Sequence, residues 1–487
     1  MTLQANQNKP GLSGKNSRAA SPLSDEILGK TQVAVIGGGV VGCAVTRRLA
    51  LEGVQVVLVE KAPDILDGAS KGNSAILHTG FDAPVDSLEW RCVQEGYREY
   101  LEVHESLGLP LLKCGALVAA WTEEEEARFE AIIAKGHENG VMDLRLLSRA
   151  EILKLEPHLA ANIRAAIAVP REYVIDPWSA PLAYLTQALE NGGQALFNAG
   201  VTGGEFDGRC WRLATERGIL QAGHVINCAG LYGDILDRDL LGTSEFTIKP
   251  RKGQFVVFDK AARDLLGSIV LPVPTKRTKG IVLFPTIFGN IAVGPTAEEQ
   301  EGRDDASVDE QILKDLHAKA LARLPGLKDI PVTATYAGIR PATERPEYRI
   351  RVDARQHWIT LGGIRSTGLT AALGLARHVQ HLLTELGMQL APIADPVVPR
   401  MPNLAEHLPR DYQTPGFEEI VCHCEMVTKR EILAALNCRL PAGSMDGLKR
   451  RTRVTMGRCQ GFFCSARLAE LTKGCFQEPL GMEKSDD

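Results

Sequence analysis

The sequence lacks the features that would place the protein within a membrane or on a nucleic acid. It contains no run of about 20 apolar residues, so no membrane-spanning helix is expected. Its 55 Lys and Arg residues are balanced by 60 Asp and Glu residues, and a net charge of −5 argues against a general nucleic-acid binder. Residues 1–30 are polar and lack the apolar centre of a signal peptide, so we expect a disordered lead-in.

The absence of an export signal predicts a reducing compartment, in which disulfides are not expected. The chain has 487 residues, of which 44% are hydrophobic and 24% charged, and this length and composition indicate a globular protein of at least two domains. Eleven cysteines are present. Seven are scattered singly and are interpreted mostly as buried apolar thiols, whereas four near the C-terminus invite a metal or redox interpretation.

A βαβ unit near the N-terminus starts with the apolar run TQVAVI and ends with VQVVLVE. Its first turn carries Gly37, Gly39 and Gly42 at G-x-G-x-x-G spacing, and Glu60 closes the second strand. The first glycine permits a tight turn, the second lets backbone approach a pyrophosphate, and the third lets the helix pack on the strand. The helix N-terminus favours phosphate, and Glu60 would accept hydrogen bonds from ribose hydroxyls. The unit therefore predicts a dinucleotide-binding site.

Small or polar residues recur at three later positions where a predicted strand ends. These are Ser70, Asn73 and Ser74; Ala229 and Gly230; and Ser366, Thr367 and Thr370. The last group opens a predicted helix whose N-terminus would stabilise negative charge on a reduced flavin ring. Strand ends spread so widely along the chain suit a long, extended cofactor, which favours FAD over NAD.

Several stretches together resemble the D-amino-acid oxidase superfamily of flavoenzymes: VAVIGGGVVGCAVTRRLA, VVLVEK, VINCAGLYGD and GGIRSTGLTAA. Within it, SKGNSAILHTGFDAPVDSLEWRC, PRKGQF and AGIRPA resemble the branch of FAD-dependent glycerol-3-phosphate and L-2-hydroxyglutarate dehydrogenases. The resemblance covers roughly residues 30–395. It implies an α/β fold, in which a discontinuous Rossmann-like FAD domain carries an inserted, mostly antiparallel α+β substrate domain that covers the substrate side of the flavin.

The domain boundaries are expected to follow that division. Six prolines between residues 391 and 415 indicate a stiff linker before the cysteine region. We expect a lead-in at 1–30, an oxidoreductase at 31–395, a linker at 396–415 and a small helical [2Fe-2S]-binding domain at 416–478. Within the oxidoreductase, the FAD domain is expected to comprise segments at about 31–111, 171–239 and 331–395. The substrate domain is expected to comprise the segments between them, at about 112–170 and 240–330. A hairpin is predicted around Gly289.

FAD bound noncovalently in such a fold is expected to contact residues from all three FAD segments. The expected contacts are Gly37, Gly39, Val40, Val41, Gly42, Glu60, Lys61, Ser70, Asn73, Ser74, Val201, Ala229, Gly230, Gly338, Arg340, Gly363, Ser366, Thr367, Gly368, Leu369 and Thr370.

The C-terminal cysteines form a C-x-C pair, Cys422 and Cys424, and a C-x4-C pair, Cys459 and Cys464. Four thiolates complete one tetrahedral zinc site or one iron–sulfur cluster. The pattern resembles the small [2Fe-2S] domains related to bacterioferritin-associated ferredoxin, over about residues 419–475. It implies that the four cysteines bind a [2Fe-2S] cluster, with structural zinc as the alternative, and that His423 points outward.

The region around these cysteines is predicted to contain two helices, TKREILAALN and CSARLAELTKG, the first with a capping box from Thr428 to Glu431. Residues 421–475 hold ten Lys or Arg residues and four acids, an excess of six positive charges, which leaves −11 for the rest of the chain. This charge would form a shell around an anionic cluster, a docking face for another redox protein, or a solvated surface.

Two side chains are expected to carry the chemistry of the substrate. His78, in ILHTG, lies where related alcohol-oxidising enzymes place a histidine near the flavin, and a neutral imidazole would take the hydroxyl proton. Arg340, in GIRP, would bind a phosphate or carboxylate of the substrate, and Arg365 is a second anion-binding candidate. Arg251 and Lys252, in PRKGQ, are interpreted as holding local structure. Lys276, Arg277 and Lys279, in TKRTKG, are interpreted either as a lid over a doubly charged substrate or as a solvated hairpin.

These expectations predict an FAD-dependent dehydrogenase for a small anionic secondary alcohol, with glycerol 3-phosphate preferred. A 2-hydroxy acid such as L-2-hydroxyglutarate, an amino or imino acid, and a non-catalytic electron-transfer subunit stay open as alternatives. Electrons are expected to leave through the cluster to a protein subunit or quinone, which allows a hetero-oligomer. The expected location is the cytoplasm, or the inner face of the membrane where a partner holds the protein there.

Overall fold

The computed structural model describes residues 26–274, 280–478 and 480. Residues 1–25 of the expected lead-in, and Lys276, Arg277 and Lys279, lie outside this part of the chain. The strands are β1 (Ile27–Ile36), β2 (Val56–Val59), β3 (Ile76–Leu77), β4 (Leu111–Leu112), β5 (Ala116–Ala120), β6 (Arg145–Ser148), β7 (Ala165–Val169), β8 (Tyr173–Ile175), β9 (Gln194–Leu196), β10 (Val201–Phe206), β11 (Trp211–Thr215), β12 (Gly218–Asn227), β13 (Ile248–Phe258), β14 (Ile269–Pro272), β15 (Val282–Pro285), β16 (Ile291–Gly294), β17 (Glu298–Glu299), β18 (Val332–Thr343), β19 (Arg349–Asp353), β20 (Trp358–Gly362), β21 (Ile420–Cys422) and β22 (Val427–Thr428).

The α-helices are α1 (Val40–Leu51), α2 (Leu88–Val103), α3 (Glu123–Glu126), α4 (Phe129–Glu138), α5 (Arg149–Leu155), α6 (Ser179–Glu190), α7 (Gly233–Leu241), α8 (Glu310–Arg323), α9 (Gly368–Glu385), α10 (Lys429–Asn437), α11 (Met445–Thr452) and α12 (Ser465–Leu471). Within the described ranges, every helix is too short or too polar to cross a lipid bilayer.

An eight-stranded sheet forms the first layer of the fold. Its centre is parallel: β1 lies between β2 and β12, β9 pairs with β2, and β20 pairs with β12. The β10–β11 hairpin and β19 add antiparallel strands. Apolar side chains of β1 and β2 that point to one face form a core with α1, α6 and α9. Because these strands come from three separate parts of the chain, the Rossmann-like layer is discontinuous, as the resemblance implied.

The first strand is longer than the apolar run TQVAVI predicted. It begins at Ile27 rather than Thr31, because Ile27 pairs with Ile219 and Lys30 with Gln221 on β12. Residues 27–30 are exposed or half-buried, so they belong to the strand through backbone pairing with β12 rather than through burial of their side chains.

A nine-stranded, mostly antiparallel sheet forms the second layer, with a parallel pair of β5 and β14. β13 pairs with β18 along its whole length, from Ile248 opposite Thr343 to Phe258 opposite Val332. β18 therefore belongs to this second sheet, although residues 331–395 were expected in the FAD domain, and the division falls after Thr343. β15 and β16 form the hairpin predicted around Gly289.

The proline-rich segment at 396–415 packs along the body of the protein. The amide of Val397 donates to Oδ1 of Asn191 (2.9 Å), and Nδ2 of Asn191 donates to the Val397 carbonyl (2.9 Å). Leu404 and Ala405 are buried in the same apolar cluster as side chains of the nine-stranded sheet. The segment is therefore a strap fixed to the body rather than a spacer held in solvent.

The C-terminal module contains β21, β22 and helices α10 to α12 around its own apolar core. α10 starts with the predicted capping box: Thr428 Oγ1 accepts from the Glu431 amide (3.1 Å), and Glu431 Oε2 accepts from the Thr428 amide (2.8 Å). α12 ends before Gly474, as predicted. Helix α11, between these two, was not predicted.

Helix α11 fixes the module to the loop that follows β2. Arg451 forms a bidentate ion pair with Asp64, with N–O distances of 2.7 and 2.9 Å, and both side chains are buried. Gly443 permits the close approach, since a Cβ there would lie 1.8 Å from the Pro63 carbonyl oxygen. A buried pair in this geometry holds the module in one orientation on the body.

Much of the positive charge of the module is neutralised within the chain. Glu425 accepts from both Arg453 (2.8 Å) and Lys260 (3.0 Å). Arg458 pairs with Asp259 across the module boundary, at 2.6 Å. Arg458 thus binds an acid of the body, whereas Arg453 binds an acid of the module itself.

Candidate functional site

A cavity of about 1000 Å³ is lined by residues of both large sheets. His78 and Arg365 line it together with most of the residues expected to contact FAD, namely Gly37, Gly39, Val40, Val41, Glu60, Lys61, Ser70, Asn73, Ser74, Val201, Ala229, Gly230, Gly338, Arg340, Gly363, Ser366, Thr367, Gly368 and Leu369. Gly42 and Thr370 were also expected to contact the cofactor, but both are buried and neither belongs to the cavity wall.

The turn from β1 into α1 provides a phosphate site at one end of the cavity. A Cβ on Gly42 would lie 1.9 Å from the Gly37 carbonyl oxygen, so this glycine serves the packing of helix on strand. A Cβ on Gly39 would face the cavity, with Ser70 Oγ at 3.1 Å as its nearest neighbour. The N-cap of α1, Gly39, provides no side-chain cap, and the Val40 amide donates to Ser70 Oγ (3.0 Å), so Ser70 lies at a helix N-terminus that favours an anion. Burial raises the pKa of Glu60, whose Oε2 accepts from the Gly38 amide at 2.5 Å.

The N-terminus of α9 forms a second positive end at the same cavity. The 18-residue helix starts at Gly368 without a side-chain cap, and Ser366 to Leu369 line the wall. Buried hydrogen bonds fix this turn, because Thr367 Oγ1 contacts Tyr348 Oη (2.6 Å) and donates to Glu89 Oε1 (2.8 Å). Two helix N-termini on one elongated cavity suit a ligand with a pyrophosphate and a second electron-rich group. These residues therefore fit FAD.

Arg340 is a half-buried cation in the cavity wall. It lies on β18 opposite Arg251, and its Nη2 donates to the Thr296 carbonyl at 3.1 Å. Burial, together with the charge of Arg251, lowers the pKa of Arg340 to about 10, so the group remains charged at neutral pH. Arg251 pairs with Glu299, whereas Arg340 has no ion pair to a carboxylate among the residues described. This arrangement suits the binding of an anionic ligand.

His78 is held from two sides at the end of β3. Its amide donates to Thr370 Oγ1 (3.0 Å), and its ring Nδ1 contacts Oε2 of the fully buried Glu172 (2.8 Å). The ring itself is 23% exposed and lines the cavity. Thr370 therefore acts on the site through the backbone of His78 rather than by touching a cofactor.

The four C-terminal thiols form two interacting pairs, Cys424 with Cys459 and Cys422 with Cys464. Backbone amides, first that of Phe463, lower the pKa of Cys459, which favours the thiolate that binds iron. Burial and the neighbouring Cys422 raise the pKa of Cys464 to about 12.

Among the described residues, no group of three His, Cys, Asp or Glu side chains is arranged to hold a metal ion, although each of the four thiols interacts with at least one other. The donor set of four thiols from two adjacent loops fits a [2Fe-2S] cluster. His423 is exposed, in keeping with its predicted outward orientation.

Three residues at or behind the cavity wall were missed from the sequence: Tyr232, Arg303 and Glu172. Lys61 Nζ lies 3.9 Å from the centre of the Tyr232 ring, and Arg303 forms a bidentate pair with Asp234 at 2.6 and 2.9 Å. Tyr232 directly follows the predicted turn of Ala229 and Gly230, so its position could have been predicted from the sequence. Glu172, however, is an isolated acid in PREYVID, and no local pattern marks it.

Comparisons with known proteins agree with this geometry. The sequence matches the family described as FAD dependent oxidoreductase over residues 32–382, and the BFD-like [2Fe-2S] binding domain over residues 420–473. A glycerol 3-phosphate dehydrogenase of Caloramator mitchellensis is 30% identical, over 93% of this chain and 95% of that protein. The mitochondrial L-2-hydroxyglutarate dehydrogenase of Homo sapiens is 29% identical, over 58% of this chain and 62% of that protein.

A solved structure is similar over most of the body. The dithionite-reduced L-alpha-glycerophosphate oxidase of Mycoplasma pneumoniae, with FAD bound, superposes with a TM-score of 0.70 at 29% identity, covering 75% of this chain and 97% of that one. The family match spans well over half of the chain, and it agrees with the cavity and with the thiol pairs. The chain therefore belongs to the FAD-dependent oxidoreductase family and carries a C-terminal BFD-like [2Fe-2S] domain, so its cofactors are FAD and a [2Fe-2S] cluster.

Proposed function

We propose that the protein is a dehydrogenase that oxidises glycerol 3-phosphate to dihydroxyacetone phosphate and passes the electrons through its C-terminal cluster. The observation that carries this proposal is the half-buried guanidinium of Arg340, which lines the cavity and forms no ion pair with a carboxylate among the described residues, although the charge of Glu298 acts on it. A dianionic phosphate supplies the missing counter-charge and accepts bidentate hydrogen bonds from a guanidinium. The Caloramator relative, which is similar over both parts of the chain, is named for the same substrate.

The two central residues have separate roles in this proposal. Arg340 binds the phosphate, and the carbinol carbon is thereby oriented toward the flavin end of the cavity. His78 accepts the hydroxyl proton at the ring nitrogen that faces the cavity. When bound, FAD supplies a two-electron acceptor for the hydrogen on that carbon.

Electrons leave, in this proposal, to a protein subunit or, through it, to quinone. Phe462 and Phe463 lie between Cys459 and Cys464 in the sequence, and they are 82% and 76% exposed. Two adjacent exposed aromatic side chains provide apolar contact beside the thiols, which suits a protein acceptor. The [2Fe-2S] cluster supplies a one-electron carrier at this position.

A 2-hydroxy dicarboxylic acid is the second candidate substrate. Its distal carboxylate would bind the same guanidinium, and the L-2-hydroxyglutarate dehydrogenase of Homo sapiens is similar over part of the chain. An amino or imino acid would need no proton transfer to His78, since a neutral amine has no hydroxyl proton to lose.

A panel of substrates tests the proposal. The purified protein with its FAD is mixed anaerobically with glycerol 3-phosphate, L-2-hydroxyglutarate, glycerol or proline, and loss of flavin absorbance is followed in a stopped-flow instrument. We expect glycerol 3-phosphate to bleach the flavin fastest and glycerol, which lacks the phosphate, to be the poorest alcohol. Faster bleaching by L-2-hydroxyglutarate or proline would overturn the substrate assignment, and no bleaching by any of the four would favour an electron-transfer subunit.

A further inference from the structure

Glu172 contacts His78 from outside the cavity wall. Its Oε2 lies 2.8 Å from Nδ1 of His78, within hydrogen-bond distance. Its Oε1 accepts two hydrogen bonds, from the amide of Thr79 (2.6 Å) and from the Thr79 hydroxyl (2.7 Å). The carboxylate is 0% exposed, and it is not part of the cavity lining. A buried acid with three polar contacts to two adjacent residues has one well-defined position.

The strand register explains why two residues so distant in sequence meet. β3 pairs with β8 in antiparallel fashion, with Leu77 opposite Tyr173. One step further along the same register brings His78 opposite Glu172. The amide of His78 is also held by Thr370 at the start of α9, so both the backbone and the ring of His78 are fixed.

The contact determines which ring nitrogen of His78 carries the proton. An ionised carboxylate accepts hydrogen bonds and donates none, so a neutral imidazole beside it carries its proton on Nδ1. Nε2 then has the lone pair, and it is the nitrogen left for the cavity that the ring lines. This is the tautomer that a general base requires. The carboxylate would also stabilise the imidazolium formed when Nε2 gains a proton.

We propose that Glu172 is a positioning residue for His78, which fixes the ring in the Nδ1–H tautomer with Nε2 directed at the substrate hydroxyl. This inference rests on the proposed function, because the role of His78 as a base is part of it. Nothing in the local sequence or in the FAD-binding turns requires an acid at position 172. An acid is required at position 172 because of its contact with His78.

Substitution of Glu172 by glutamine keeps the shape of the side chain, but it removes the negative charge and reverses the tautomer that is favoured at His78. In Glu172→Gln, the amide oxygen would remain with the two Thr79 donors, and the amide NH₂ would face Nδ1 of His78. It would then force the proton onto Nε2, which abolishes the base at the cavity. Flavin content should not change, whereas the rate of flavin reduction at saturating substrate should fall by roughly 100-fold or more, the usual contribution of a general base. The half-saturation concentration should change little, because Arg340 is untouched.

Two further variants control this result. Glu156 is also a buried glutamate, 3% exposed, which accepts from the Gly267 amide and lies outside the cavity wall. Glu156→Gln should leave the rate of flavin reduction near that of the unmutated protein. Glu172→Asp keeps the charge and should recover part of the rate lost in Glu172→Gln. An equal loss in Glu156→Gln and Glu172→Gln would overturn the inference.

The tautomer is measurable without turnover. Long-range ¹H–¹⁵N spectra of protein labelled in its histidine rings distinguish Nδ1–H from Nε2–H, and the signal of His78 is identified by its loss in His78→Asn. The unmutated protein should show Nδ1–H, and Glu172→Gln should show Nε2–H. The Nε2–H form in the unmutated protein would overturn the inference even if Glu172→Gln does not fold.

The outcomes also separate this inference from the proposed function. If flavin reduction is slow in His78→Asn but the rate and the tautomer are unchanged in Glu172→Gln, the proposed role of Glu172 is wrong and that of His78 stands. If the rate of flavin reduction is unchanged in His78→Asn, His78 is not the base, and the proposed role of Glu172 is then wrong as well. Both comparisons use whichever compound of the substrate panel reduces the flavin fastest.

Discussion

Arg340 is a half-buried cation whose opposite neighbour on the sheet, Arg251, is also a cation. A substrate anion would supply the counter-charge, and a charge-assisted contact of this kind contributes about 3 kcal/mol when its loss leaves a charged partner buried. We therefore predict that Arg340→Leu raises the half-saturation concentration of the best anionic substrate by roughly 100-fold. Flavin content, measured by absorbance, should not change.

Arg251→Leu is the matched control for this substitution. Arg251 is 33% exposed and forms an ion pair with Glu299 at 2.5 Å, so its charge is already compensated. We expect a change of only a few-fold in the half-saturation concentration, in line with a surface ion pair. An unaltered value in Arg340→Leu, or an equal increase in both variants, would rule out Arg340 as the anchor.

The glycines of the first turn have different roles and should respond differently to valine. In Gly39→Val the new side chain faces the cavity, so the protein should fold but lose bound flavin. In Gly42→Val the Cβ would lie 1.9 Å from the Gly37 carbonyl oxygen, so the thermal unfolding temperature itself should fall. Flavin absorbance per chain and thermal unfolding distinguish the two. A full flavin complement in Gly39→Val would show that the phosphates bind elsewhere.

Residues of the site could be predicted where their chemistry follows from local spacing. Gly37 and Gly39 of the βαβ turn, Ser70 and the turn before α9 all line one cavity, as the sequence pattern suggested. Gly42 and Thr370 lie behind the wall, because a glycine needed for packing and a hydroxyl that holds the backbone look the same in sequence as ligand contacts. Glu172 was not predictable, since it reaches His78 through a pairing of distant strands.

Helices and strands whose ends are marked by capping or turn residues could be predicted from the sequence. Those that depend on contacts with distant parts of the chain could not. The capping box of α10 gave its start, whereas α11 carries a polar, arginine-rich sequence without an apolar stripe. α11 is stable because its polar side chains meet the loop after β2, a contact that no local pattern encodes. Likewise, β18 belongs to the nine-stranded sheet because it pairs with β13, and its own sequence does not indicate this pairing.

Helix α11 provides a test of the docking of the module. Removal of one partner from a buried ion pair costs about 3–5 kcal/mol, so Arg451→Leu should lower the free energy of unfolding strongly. Because the loop around Asp64 also lines the FAD cavity at Asp67 and Gly68, flavin should dissociate more readily. Urea unfolding and flavin retention on gel filtration measure the two effects.

Lys449→Leu is the control on the same helix. Lys449 pairs with Asp446 at 3.1 Å, and the two side chains are 36% and 63% exposed, so the change should stay below about 1 kcal/mol. Equal stabilities of Arg451→Leu and Lys449→Leu would mean that the Asp64 contact does not hold the module.

At the scale of the whole molecule, the two parts of the chain have opposite net charge and are joined by ion pairs. The sequence showed the charge difference, and the resemblance implied the module, but neither located the acids that the module's arginines meet. Phe288 connects the parts as well: the Arg453 guanidinium lies 4.0 Å from its ring centre, and its ring stacks on Trp178 at 5.4 Å. Trp178 Nε1 donates to the carbonyl of Lys71, a residue of the cavity wall. The module is therefore packed beside the FAD cavity.

Cys459→Ser tests whether this packing serves electron transfer. An alcohol is a poor ligand for iron, so iron should fall from about two per chain, the content of one [2Fe-2S] cluster. The docking contact of Arg451 with Asp64 lies on α11 and does not involve Cys459, so the flavin site should remain intact. Substrate should still bleach the flavin in one anaerobic turnover, while steady-state transfer to a protein or quinone acceptor should collapse. One zinc per chain in the unmutated protein, with no visible absorption beyond that of flavin, would instead make the module a structural metal site.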